Sequence, residues 1–285
     1  MLEILLSIYA ILALLLATIT DLKKREILDS ISFTLLAISS ITVIIYSIIL
    51  KDFNILLTTL KVFFPLLFLS LLLYFTRQWG GGDTKLLIAL SIPLAFPLIK
   101  FDLTLSSPID FVTNLAIVGA LYGTFFAIIK TIRYPKEFIK NAKELTKEKK
   151  PTILISILIS LLLFILGYLL KSQLTTALLY ASAIFILITP MLFIIFKSVE
   201  KFSMIKTIPV NKLTPGDWII DKNIKSKFKI SELGIEPEQI LKLKKSKTKS
   251  ILIKEGLPFA PTFLLAYLIT ILNGNLVLNI FKLFF

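Results

Sequence analysis

Apolar runs long enough to cross a membrane recur along almost the whole chain, and this feature constrains the fold more than any other. The 285 residues are 56% hydrophobic, with a mean hydropathy of +0.88, whereas soluble domains are about 45 to 50% apolar. A transmembrane helix needs about 20 predominantly apolar residues. We therefore predict an all-α polytopic membrane helical bundle. The eight expected helices lie near residues 2–20, 31–50, 61–75, 84–99, 111–132, 153–170, 176–196 and 259–272, with an extension of the last toward 281.

Positive charge is distributed unevenly between alternate loops. The chain carries a formal net charge of +14, and 27 of its 32 Lys and Arg residues lie on one side of the expected bundle, most of them in loops. Loops rich in Lys and Arg remain in the cytoplasm, so we expect a cell-membrane protein whose basic side faces the cytoplasm. The partner of this charge is then anionic membrane lipid. No nucleic-acid binding is expected, because the basic residues lie between apolar runs.

One sizeable polar stretch interrupts the apolar pattern near the C-terminus. We predict three segments: a transmembrane core over residues 1–197, a small basic cytoplasmic appendage over 198–257, and a C-terminal transmembrane helix over 258–285. Within the appendage, Thr214 to Asp217 has the composition of a turn. Pro237 and Glu238 suit the first turn of a helix.

The chain contains neither cysteine nor histidine. Disulfides, Ser-His-Asp triads, Cys/His dyads and zinc sites with thiolate or imidazole ligands are therefore excluded. Hydrolytic chemistry would have to use carboxylates, Lys, Tyr, Ser, Thr or a hard metal ion.

Two aspartates stand where apolar runs meet the expected cytoplasmic face. Asp21 follows the first run and Asp83 precedes the fourth. Hydrolysis of a peptide bond by two carboxylates needs one ionised group to activate water and one protonated group to protonate the carbonyl oxygen. Two like charges a few ångströms apart cannot both ionise in a poorly solvated site, so such a pair shares a proton.

Each aspartate also has a purely structural interpretation. Asp83 follows Gly80, Gly81 and Gly82, and it would be the N-cap of the fourth helix after a flexible loop. Asp21 would be an interfacial acid that balances the basic residues after it. Three glycines in a row suggest that another polypeptide segment, such as a substrate strand, must approach this backbone closely.

These residues resemble a known family. Gly80-Gly81-Gly82-Asp83 has the G-x-G-D form, and the segment from Asp21 to Asp29 is similar to the one that begins with the first catalytic aspartate of type IV prepilin peptidases. The archaeal preflagellin and prepilin peptidases are the most similar branch. The C-terminal pattern of that branch is also visible in Leu213 to Asp217 and in Gly256 to Leu265.

The resemblance implies an intramembrane aspartic endopeptidase of the GxGD type, with Asp21 and Asp83 as the catalytic pair and with no metal or cofactor. Its substrates would be archaellin or pilin-like precursors, cut at the junction of a short basic leader and an apolar helix on the cytoplasmic side. We expect substrate contacts at Gly80, Gly81 and Gly82. Glu26 and Asp29 would receive the basic residues of the leader.

Two alternatives remain open at this point. In a membrane carrier or a lipid- or ion-binding protein, Asp21 and Asp83 would bind a cation or a headgroup and no bond would be cut. In a structural assembly subunit the glycine-rich segment would have no evident use. The sequence leaves the oligomeric state and the choice between archaellin and pilin substrates undetermined.

Overall fold

The structure is a computed structural model that describes residues 2–95, 106–170, 172–246 and 248–284. It is 80% helical. The described helices are α1 Leu2–Lys24, α2 Asp29–Leu50, α3 Phe53–Phe75, α4 Gly81–Ala95, α5 Ser106–Arg133, α6 Pro135–Glu148, α7 Lys150–Leu169, α8 Gln173–Val199, α9 Lys222–Phe228, α10 Pro237–Lys244, α11 Ala260–Asn273 and α12 Leu276–Phe284; a π-helical turn spans Glu200–Met204 and a 3-10 turn spans Val210–Lys212.

Six of the described helices are long and apolar enough to cross a membrane: α1, α2, α3, α5, α7 and α8. The all-α class and the polytopic bundle are therefore confirmed, but a count of eight spans is not. The two remaining expected helices are shorter in the part of the chain that the structure describes. The described part of α4 has 15 residues, and the rest of its expected range, 96–99, lies outside the described residues. Helix α11 has 14 residues and ends before Gly274, whose φ of +69° interrupts the expected extension toward residue 281.

The third helix begins eight residues earlier than predicted. Asp52 precedes it in extended conformation and accepts a hydrogen bond from the backbone N–H of Asn54 at 2.9 Å. This N-cap sets the start at Phe53. Lys61, where the predicted helix began, is an exposed residue inside α3, because a long basic side chain can extend its charge away from an apolar stretch.

The chain forms two compact units, and the first comprises Met1–Gly123 together with Thr207–Phe285. Helix α4 is its most enclosed helix and contacts α1, α2 and α3. Leu86, Leu87, Ala89 and Leu90 are fully buried on several faces of α4, and a helix that is apolar all round belongs in a core. Helix α1 packs against α11 in the same unit.

The second unit, Thr124–Lys206, is formed largely by α6, α7 and α8. Helices α7 and α8 approach closely at small and hydroxyl-bearing residues. The ring of Tyr180 fills the space where a side chain on Gly167 would lie, and the Ser160 hydroxyl donates to the carbonyl of Ala183 at 2.9 Å. Small residues and hydroxyl groups serve this purpose between membrane helices.

The polar segment within the first unit folds around its own small core. Three strands, β1 Ile205–Pro209, β2 Trp218–Ile219 and β3 Ser250–Lys254, form a sheet in the order β1-β3-β2. The predicted turn is present, because the N–H of Asp217 donates to the carbonyl of Thr214. The predicted helix is α10, which begins at Pro237 after a capping box of Glu236 and Gln239. The sheet was not expected, although Ile251 and Ile253 alternate with more exposed residues as strands do.

Candidate active site

Asp21 lies inside the last turns of α1, which continues to Lys24, instead of following that helix as predicted. Its side chain is buried, with 6% of its surface exposed. The Oδ2 atom accepts a hydrogen bond of 2.8 Å from the backbone N–H of Ala260. Asp21 is therefore connected to the beginning of α11, which is far away in sequence.

The contact between Asp21 and Ala260 has a clear electrostatic reason. The first N–H groups of a helix have no partner within it, and Phe259, at the N-cap of α11, provides no side-chain hydrogen bond. The Asp21 carboxylate accepts one of these N–H groups and lies at the positive end of the helix dipole. In effect α1 supplies the cap of α11.

Asp83 is the third residue of α4 and is partly buried. Its Oδ2 atom accepts a hydrogen bond of 3.3 Å from the backbone N–H of Gly80. The capping interpretation is thus partly correct. Asp83 is not the N-cap, but it reaches back to the backbone before the helix as the third residue of a capping box does.

The two carboxyl groups interact although they belong to different helices. Asp83 lies outside the six candidate spans. The loss of solvent around it, and after that the charge of Asp21, raise the pKa of the Asp83 carboxyl to about 7, while the hydrogen bond from Gly80 opposes this shift. Helices α1 and α4 contact each other, so the charges of Asp21 and Asp83 interact, and one carboxyl can be neutral while the other is charged.

Gly82 allows the segment after α1 to approach the start of α4. A Cβ atom at Gly82 would lie 3.1 Å from the Cβ of Ile27, whereas one at Gly81 would meet only the Tyr74 ring, at 4.0 Å. Ile27 is buried. Gly82 is thus the glycine whose lack of a side chain the packing requires, and Gly81 is exposed.

Aromatic rings connect the glycine segment to the start of α11. The Trp79 ring, just before Gly80, lies 6.0 Å from Phe259 and 5.3 Å from Phe263, measured between ring centroids. Phe259 fits against Gly119 of α5, where a Cβ atom would lie 2.9 Å from the ring. Tyr122, one turn further along α5, interacts electrostatically with both Asp21 and Arg25.

Arg25 holds the segment before α11 in place. Its Nη1 atom donates to the carbonyl of Gly256 at 3.0 Å and forms an ion pair with Glu255 at 3.1 Å. Its backbone is left-handed, with a φ of +57°, which is unfavourable for a residue with a Cβ atom. This strained residue at the end of α1 thus anchors the segment that donates to Asp21.

We expect Arg25→Asn to loosen the segment before α11 and to lower about tenfold the rate of any reaction that uses the Asp21 carboxyl, because the lost charged hydrogen bond is worth about 1.5 to 3 kcal/mol and partial exposure reduces that figure. Asparagine tolerates the left-handed conformation, so only the long side chain is lost. Initial rates of the purified variant would measure this effect. Lys24→Asn is the matched control at an exposed neighbour, and equal rates for the two variants would contradict the role of Arg25.

The two acids expected to bind a basic leader differ in their surroundings. Glu26 is exposed next to Arg25. Asp29 is the first residue of α2, and its carboxylate accepts a hydrogen bond of 2.6 Å from Lys85. Of the two carboxylates that were predicted to bind a basic leader, Asp29 is therefore already neutralised by Lys85.

The sequence predictions did not include Ala260, Arg25, Tyr122 or Trp79 as parts of the site. A signal existed for two of them, since Arg25 lies in the segment from Asp21 to Asp29 and Ala260 in the segment from Gly256 to Leu265, which both resemble the family pattern. The described residues contain no group of three or more Asp, Glu, His or Cys side chains that could hold a metal ion.

Part of the chain is similar to a known protein family. The sequence model of the type IV leader peptidase family matches residues 8–131, a range that includes both Asp21 and Asp83. Over this range the chain is similar to type IV leader peptidases. Together with the apolar helices, it fits a multi-pass membrane protein. No curated protein matches the chain.

Proposed function

We propose that this type IV leader peptidase-like chain is an intramembrane aspartic endopeptidase of the GxGD type. It removes the short basic leader from archaellin or type IV pilin-like precursors, with Asp21 and Asp83 as the catalytic pair. The proposal is supported by the contact between α1 and α4, which carry these two aspartates, and by the charge of Asp21, which helps to raise the pKa of the Asp83 carboxyl. The excess of Lys and Arg in alternate loops supports a cytoplasmic position for that site.

In the proposed mechanism the pair begins with Asp21 ionised and Asp83 protonated. Asp21 takes a proton from a water molecule as the water oxygen attacks the scissile carbonyl carbon, and Asp83 gives its proton to the carbonyl oxygen. The resulting diol returns a proton to Asp83 when the C–N bond breaks. Asp21 then gives its proton to the departing amine, so both carboxyl groups recover their starting states.

The glycine segment is the proposed docking place for the substrate backbone. Gly81 is exposed, and Gly80 and Gly82 are partly exposed beside Asp83. An extended substrate strand can lie close to a backbone that has no side chains. Glu26 is the proposed partner of the leader's Lys or Arg, and Asp29 shares this role only to the extent that Lys85 releases it.

The direct test of the function is incubation of the purified protein with a pilin-type precursor. We expect one new polypeptide, and mass spectrometry should place the cut at the junction of leader and apolar helix. If several such precursors bind but none is cut, the carrier interpretation of the two aspartates replaces the peptidase.

The activity should fall as the pH rises above about 7. A raised pKa keeps the Asp83 carboxyl protonated up to that pH, and the neutral form is the one that can protonate the carbonyl oxygen. Above this pH both carboxyl groups are charged, and each further pH unit should lower the rate about tenfold. A pH profile of kcat/KM measures this limb.

Unfolding must be excluded as the cause of that decline. Thermal melting over the same pH range serves as the control, and the melting temperature should change far less than the rate. A rate that stays constant through pH 9 would show that Asp83 is not the proton donor.

Removal of the Glu26 charge should weaken the binding of basic leaders. We expect Glu26→Gln to raise KM about 2- to 5-fold, as for one exposed ion pair. Asp29→Asn should have a smaller effect because Lys85 already pairs with Asp29. Steady-state kinetics at low ionic strength would measure both variants.

A substrate whose leader Lys and Arg are replaced by Gln provides the control for this prediction. Glu26→Gln should leave the KM of that substrate unchanged. An equal rise of KM for the basic and the neutral leader would mean that Glu26 acts on folding and not on the leader.

A further inference from the structure

We propose that α6 is an in-plane helix that binds the anionic headgroups of the membrane leaflet. This helix, Pro135–Glu148, was expected to be part of a basic loop, and it belongs to the second unit of the chain. The proposal does not depend on the proposed peptidase activity.

The position of α6 along the chain sets its level relative to the membrane. Only Tyr134 separates it from α5, and only Lys149 separates it from α7, and both of those helices are candidate spans. A 14-residue helix joined in this way to two spans must lie near the membrane surface, because its polar residues cannot enter the hydrocarbon region.

The end of α5 has the residues that are typical of a membrane–water interface. Lys130 lies 5.2 Å from the ring centroid of Phe126 and 5.8 Å from that of Tyr134, and Arg133 lies 5.8 Å from the ring of Tyr134. Tyrosine and basic residues concentrate at the headgroup level. This arrangement supports the same level for the start of α6.

The charges of α6 are separated by sign around the helix. Its acids are Glu137, Glu144 and Glu148, and two of them are paired, Glu144 with Lys201 at 3.4 Å and Glu148 with Lys149 at 2.9 Å. The basic residues recur at three- and four-residue intervals, which puts them in one stripe. These are Lys136, Lys140, Lys143 and Lys147, all exposed, and within the described part of the chain none of them forms an ion pair.

An apolar groove borders this lysine stripe. Leu145 is buried on the side of α6 that packs against α8, whereas Ile139 remains 50% exposed. The groove is lined by Phe138, Ile139, Ala142, Lys143, Thr146 and Lys147. An exposed apolar strip beside a row of unpaired lysines is complementary to acyl chains below anionic headgroups, so a lipid leaflet is the occupant.

The absence of cysteine from the sequence makes this proposal straightforward to test by labelling. The full chain carrying Ile139→Cys, with an environment-sensitive fluorophore, is reconstituted in phosphatidylcholine nanodiscs with or without phosphatidylglycerol. Brominated versions of each lipid then serve as quenchers. We expect brominated phosphatidylglycerol to quench the label several-fold more effectively than brominated phosphatidylcholine, and high salt to reduce this preference.

Two matched variants identify the source of the preference. A label at Glu137→Cys, on the acidic stripe, should be quenched little by either lipid. Replacement of Lys143 and Lys147 by Gln should lower the preference of the Ile139→Cys label for phosphatidylglycerol from several-fold to near unity, since each lysine near an anionic surface contributes about fivefold. Melting temperatures would show that the double variant still folds.

Two results would overturn the proposal. One is equal quenching by the two lipids in the protein with all four lysines. The other is protection of the Ile139→Cys label from the brominated lipids that increases with protein concentration and not with lipid charge. This result would identify a second copy of the chain as the occupant of the groove.

Discussion

We expect Asp21→Asn and Asp83→Asn each to lower precursor cleavage by about 10³-fold or more, because general acid–base groups typically contribute 10² to 10⁴-fold and neither variant can exchange a proton. Asparagine keeps the shape of the side chain. At position 21 its amide oxygen can still accept the hydrogen bond from Ala260, so the start of α11 should remain in place. Initial cleavage rates of the purified variants, followed as a gel shift, measure the loss.

Asp52→Asn is the matched control for this pair. Asp52 is also an aspartate at the start of a helix, where it accepts a hydrogen bond from the N–H of Asn54, and asparagine caps helices equally well. This variant should cut at the wild-type rate. All three variants should insert in the membrane and melt like the wild type. If Asp21→Asn or Asp83→Asn retains substantial cleavage, the assignment of the catalytic pair is wrong.

The second large effect is expected at Gly82. A methyl group there would lie 3.1 Å from the Cβ of Ile27, which is buried and cannot move aside freely. Ile27 or the start of α4 must therefore give way by a few tenths of an ångström, and Asp83 is the next residue. A displacement of about 1 Å in a catalytic group can cost about 10²-fold in rate. We expect a loss of about tenfold for Gly82→Ala and about 100-fold for Gly82→Val, measured as kcat/KM.

The neighbouring glycine and a compensating change test the steric explanation. Gly81→Ala should be almost neutral, since its Cβ atom would be 4.0 Å from the Tyr74 ring. Combining Gly82→Ala with Ile27→Gly should restore part of the lost activity, because the second change removes the Cβ atom that the new methyl group would meet at 3.1 Å. If the double variant has the same kcat/KM as Gly82→Ala, the flexibility of the glycine backbone matters, and the space left by its missing side chain does not.

The largest features of this fold could be predicted from the sequence. Whether a segment prefers lipid or water is decided by its own residues. This local preference is visible as apolar runs of about 20 residues and as alternating charge in the loops. The number of spans could not be predicted in the same way. Helix α4 is enclosed by other helices, so its apolar residues reflect burial within the protein and are not by themselves evidence of a span.

Local patterns also identified most of the appendage and the candidate pair. The turn at Thr214 and the helix after Pro237 follow from residues that are adjacent in sequence, and so does the G-x-G-D segment before α4. The small sheet was missed because short strands are stabilised by partners elsewhere in the chain. Ile253, for example, pairs with Ile219 across the sheet.

What the sequence by itself determined is the membrane bundle, its charge asymmetry and two aspartates at the ends of helices. Only the tertiary structure decided that Asp21 caps α11 through Ala260, that Arg25 anchors the preceding segment, and that Asp29 is paired with Lys85. Helix formation and membrane insertion depend on neighbouring residues and on the solvent. The interaction of two carboxyl groups depends instead on which helices pack together, and no local pattern in the chain contains that information.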